Sequence, residues 1–173
     1  MKVKNKCILI TKEIFTFKII FCISILRMRM FHNSVYSLFN YMIAFCTGMF
    51  IITYFLNIPH LVTGQPQIVN EYYQTNHLKN IPLDFMFVLL YLLLAHILIK
   101  IFNIQSKLVK ILIVALITTL LTGFFCYLFL SKEVIADNFF SKWFHTVGYK
   151  SVIYDAILLV FIYMIYIYLE GRK

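Results

Sequence analysis

Residues 111–130 read ILIVALITTLLTGFFCYLFL, a run with no charged side chain. The hydrocarbon core of a bilayer is about 30 Å thick and takes about 20 helical residues to cross. The run is apolar on every side, whereas a barrel strand alternates apolar and polar residues over about ten positions. A helix also bonds its own backbone, as lipid requires of any spanning segment. This stretch therefore reads as a membrane helix, assigned to residues 109–130.

Three further stretches have the same character: residues 36–58, 83–102 and 151–169. The whole chain agrees with them. Of its 173 residues, 62% are hydrophobic and 13% charged, against about 45–50% and about 25% in a soluble domain. A chain of this length cannot bury that excess in water. The expected fold is an all-α polytopic transmembrane bundle of four spans, with the lipid bilayer as its principal partner.

Residues 1–35 form a basic, partly amphipathic lead. Lys2, Lys4, Lys6, Lys12, Lys18, Arg27 and Arg29 interrupt it, so it suits anionic headgroups better than the bilayer interior. A fifth span, a targeting segment and an untranslated upstream stretch (Met28 and Met30 are alternative starts) are the other readings. With the lead included, a cytoplasmic N-terminus puts 12 Lys and Arg on the cytoplasmic side and 4 on the other. The excess of positive charge inside thus places both termini in the cytoplasm. The net charge of +9 lies in the lead and at span ends, where it serves topology and headgroups rather than nucleic acid.

Between the first two spans, Pro59 and Pro82 bracket residues 60–81, rich in Gly, Pro and Asn and read as a loop. Tyr72 and Tyr73 there suit the membrane interface. Residues 138–147 read as a short amphipathic helix, capped by Asp137 or Asn138 and ended by Gly148. Its face of Phe140, Trp143, Phe144 and Val147 is expected to lie flat in the interface, with Phe140, Trp143 and Phe144 as anchors.

Polar groups at membrane depth are costly and therefore informative. Asp84 and Asp155 each fall near the start of a span that enters from the same side, so they share a level. Such a pair is a candidate cation or proton site. The plainer reading is that each favours the positive end of its helix, worth about 0.3–1 kcal/mol, or pairs with Lys79 or Lys150. His96, deeper in the second span, is a candidate proton relay or an interhelical hydrogen bonder, and His145 is expected to be solvated. Ala44 with Gly48, and Thr119 with Gly123, form steps of small residues that let helices approach closely.

Catalytic and cofactor motifs are missing from the sequence. Cys7, Cys22, Cys46 and Cys126 form no Cys-x-x-Cys pair, which argues against a disulfide framework, a zinc site and quinone-linked thiol chemistry. The histidines lack metal-binding spacing, and there is no Gly-x-Ser-x-Gly or phosphate loop. No enzyme activity, metal or cofactor is expected, and the sequence holds no Asn-x-Ser/Thr sequon.

The stretches FFSKWFHTVG (139–148) and VIYDAIL (152–158), with Pro82-Leu83-Asp84 opening a run that contains Tyr91, resemble small multi-pass membrane proteins of nucleocytoplasmic large DNA viruses. The likeness covers residues 82–169. It implies residence in a virus-modified host membrane or a virion membrane, and no catalytic residue. The expected role is structural or in membrane assembly, with a homo-oligomer or other membrane proteins as partners. The alternative is a small ion or proton channel or transporter built on Asp84, His96 and Asp155.

Overall fold

The computed structural model describes residues 35–134 and 138–171. Most of the basic lead, Asp137, Arg172 and Lys173 fall outside the described residues. The chain divides into two units at Tyr41 and Met42. Of the first, the described part is the opening of one helix; everything below concerns the second.

The described residues are all helical in architecture, and four helices are long and apolar enough to cross a membrane. They are α1 (Val35–Phe55), α4 (His77–Ile101), α5 (Lys107–Leu130) and α7 (Lys150–Glu170). The chain is an integral membrane protein. Most of the surface of these helices is turned outward, as Leu and Phe side chains are when lipid is their solvent.

Each span buries one stripe. On α5 the stripe is Val114, Thr118, Thr122 and Cys126, every fourth residue. It packs chiefly against α7, which buries Ser151, Tyr154, Leu158, Leu159, Ile162 and Tyr163. On α4 the buried residues are Asn80, Val88, Tyr91, Leu92, Ala95 and Ile99. The rings of Phe45 and Phe85, 5.2 Å apart and perpendicular, join α1 to α4. Ala44 is fully buried, and a Cβ placed on Gly48 would stand 2.5 Å from Cγ1 of Ile162. At Gly48, α1 therefore packs tightly on α7. Gly123 differs: a Cβ there meets nothing within 4 Å, and Thr119 is exposed.

The segment expected as a loop is mostly helical. The last turns of α1, Phe50–Phe55, are π-helical, and Asn57 breaks the chain in the left-handed region (φ 53°). Then follow α2 (Ile58–Thr63), α3 (Pro66–Asn70) and a π-helical turn, Glu71–Thr75. Pro59 and Pro66 sit in the first positions of α2 and α3, where a missing N–H costs nothing. Gly64 ends α2 at φ 66°. Pro82 does not delimit α4, which begins five residues before it at His77. So near a helix start, only an exposed turn loses a bond to proline.

The short helix α6 (Phe139–Val147) precedes α7. Asn138 caps it by accepting from the Ser141 N–H at 3.1 Å, and Gly148 ends it at φ 61°, ψ −144°, a conformation glycine alone adopts freely. Together α2, α3, the π turn and α6 cap the end of the bundle where α4 and α7 begin. The pair Lys142–Glu71, 2.7 Å apart, ties α6 to the π turn. The Lys150 ammonium donates to the Thr63 carbonyl at 3.0 Å, tying α2 to α7.

Candidate functional site

Asp84 is the eighth residue of α4 and Asp155 the sixth of α7. At 1.5 Å per residue they lie about 10 Å and about 8 Å from the starts of their helices. They line one chamber of about 200 Å³. Its floor comes from α4, α5 and α7, including Tyr91, Thr122, Leu158 and Leu159; its roof is Tyr72 and Tyr73 of the π turn with Trp143 and Phe144 of α6. Phe87, Phe125 and Phe140 meet at one partly exposed side, with ring centres 6.1 and 6.4 Å apart.

The two carboxylates are held differently. The Tyr72 hydroxyl donates to Oδ1 of Asp84. Oδ2 of Asp84 is out of reach of solvent and has no hydrogen-bond partner. Thr122 donates to Oδ2 of Asp155 at 2.9 Å. Among the described residues, no Lys, Arg or His lines the chamber. Lys150, a possible partner for Asp155, reaches Thr63 instead. Both acids are half-buried; a carboxylate at membrane depth without a cation is costly, and either a bound positive charge or protonation relieves that cost.

A second set of hydroxyls adjoins it. Tyr73 donates to the Tyr154 hydroxyl at 2.8 Å, and Tyr154 lies 3.0 Å from Oγ1 of Thr53. Tyr54 donates to the Tyr73 carbonyl, and Asn80 to the Tyr72 carbonyl, both at 3.1 Å. These bonds fix the roof on the spans. Thr53 and Tyr73 also line a polar cleft of about 530 Å³, with Asn57, His60, Asn70 and Gln74. Tyr73 thus stands between the cleft and the chamber and forms part of both walls. Burial pushes the Tyr72 and Tyr73 phenols well above the ordinary tyrosine range; Asp84 adds to the rise at Tyr72 and Tyr154 to that at Tyr73. Both stay neutral donors at physiological pH.

Of the residues singled out from sequence, the structure brings Asp84 and Asp155 together and leaves His96 apart. His96 is exposed on the outer face of α4, about a third of a turn around the helix from Asp84. Phe140, Trp143 and Phe144 face the chamber rather than lipid, with Trp143 only 6% exposed. His145 is not freely solvated: its ring nitrogens lie 2.8 and 3.0 Å from the carbonyls of Ser141 and Lys132. Tyr72, Tyr73, Tyr91, Thr122 and Tyr154 are the site residues that sequence reasoning missed. Thr122 had a readable signal, standing between the small residues Thr119 and Gly123 but one face away.

Compared with family models, curated proteins and solved structures, the chain matches none of them.

Proposed function

We propose that this membrane protein takes up a cation, as a small channel or transporter does, in the chamber between Asp84 and Asp155. The observation that carries the reading is that two carboxylates on different spans line one chamber, with no basic side chain among its described lining. Asp84 Oδ2 is buried there without a hydrogen-bond partner. The polar cleft beyond Tyr73 supplies a route from the capped end. The distribution of Lys and Arg supports a non-cytoplasmic position for that end, with both termini in the cytoplasm. His96 has no part in the route, and no bond-making step is included.

The test is flux of protons and of inorganic and organic cations into liposomes carrying the full chain. Wild type should exceed protein-free liposomes, and Asp155→Asn should fall to their level. No flux from folded wild-type protein would overturn the reading.

A structural or assembly role is the second reading, favoured by one feature. Thr119 and Gly123 form a small-residue step on the outside of α5, open to another helix. A homo-oligomer or another membrane protein would fit there, in a virus-modified or virion membrane if the resemblance to viral proteins reflects kinship. Gly123→Leu should then abolish assembly without changing flux.

A further inference from the structure

Inorganic cations are held by shells of oxygen, about six to eight for calcium and about six for magnesium. The chamber has two carboxylates, and one oxygen of each already accepts from Tyr72 or Thr122. Among the described residues, no three His, Cys, Asp or Glu side chains gather as a metal ion would need. Most of the wall is aromatic instead: Tyr72, Phe87, Tyr91, Phe125, Trp143 and Phe144 all contribute.

An alkylated ammonium matches such a wall. Its charge is attracted to carboxylates and to ring faces, indole above all, and its alkyl groups pack on the rings. Tyr72 links both kinds of contact. Its hydroxyl holds Asp84, and its ring lies 4.9 Å from that of Trp143, tilted by 49°. The volume of about 200 Å³ is smaller than a drug-sized site, typically about 300–1,000 Å³, and suits a compact head.

We infer that the chamber binds a small quaternary ammonium group of the choline type, its charge held by the Asp84 and Asp155 carboxylates and by the aromatic wall around them. This rests on the proposed cation uptake and names the class of cation. The group is carried either by a free small molecule or by a lipid headgroup; the chemistry recognised is the same.

Trp143, the chain's one tryptophan, lines the chamber and reports on it directly. The test is its fluorescence in the full chain, held in maltoside micelles. The titrants are choline chloride, a short-chain phosphatidylcholine, potassium chloride and calcium chloride, at matched ionic strength. Saturable change with choline or with the lipid is expected, and the tighter of the two identifies the carrier. Asp84→Asn should weaken it by about tenfold or more, as loss of a charged partner does. Tyr72→Phe, which keeps the ring and loses the donor, should weaken it too, and serves if Asp84→Asn does not fold by circular dichroism. No saturable response to either ammonium from folded wild type overturns the inference. So does an equal response to potassium or calcium, which would remove the ammonium class while leaving cation uptake standing, since inorganic flux is read separately in liposomes.

Discussion

The hydroxyl of Tyr72 donates to the carboxylate of Asp84, so a side chain from the segment between two spans is fastened to a group inside the second. The eleven residues separating them cover a turn of π-helix and the start of α4. Roof and floor of the chamber are thereby one unit, and what disturbs the roof reaches the acid.

Alkali should loosen this roof. The Tyr72 and Tyr73 phenols hold their protons more tightly in the fold than the ordinary value of 10.0, because burial disfavours the phenolate. A raised folded pKa gives stability that is fully present below the unfolded pKa and lost as pH rises through the folded one. The midpoint temperature of unfolding in micelles should therefore fall as pH rises above about 10, the ordinary phenol value. The double variant Tyr72→Phe/Tyr73→Phe should lose less over that rise; an equal loss would contradict the assignment.

Tyr154 is the centre of the second hydroxyl set, 2.8 Å from Tyr73 and 3.0 Å from Thr53. Tyr154→Phe leaves two buried hydroxyls short of a partner and should cost about 1–3 kcal/mol. Adding Thr53→Val should cost less than the sum of the two single changes, because one bond is shared. Unfolding in mixed micelles measures both; full additivity would show that the bond contributes nothing.

The spans were legible because a run of some twenty apolar residues has few uses other than crossing a bilayer. Their rotation was not. Sides of α4 and α7 are almost equally apolar, so nothing in the sequence marks which side faces lipid, and His96 fell on the outer one. Asp84 and Asp155 were legible as a pair from depth alone, since both follow a span start on the same side. Tyr72 and Tyr73 were hidden by their neighbours: Pro59, Gly64 and Pro66 signal turns, yet here they start or end short helices. The aromatic face of α6 was correctly placed on one side of a helix, but apolar rings fit lipid and a protein chamber equally well.

The two glycines that sequence alone ranks together should behave differently. Gly48→Leu drives a side chain into Ile162, with the first new atom 2.5 Å from Cγ1, and should cost about 1–3 kcal/mol. Gly123→Leu meets nothing within 4 Å and should change folding by no more than about 0.5 kcal/mol. Unfolding titrations of both variants decide it, and the reverse order would contradict the packing of α1 on α7.

The most direct test is a cycle of flux measurements on wild type, Asp84→Asn, Asp155→Asn and the double variant in liposomes. If both acids serve one chamber, each single change should lower uptake and the double should be little worse than the more damaging single, because groups that act as a unit are not additive. Two independent losses that multiply in the double, or wild-type uptake no greater than that of protein-free liposomes, would contradict a shared cation site between α4 and α7.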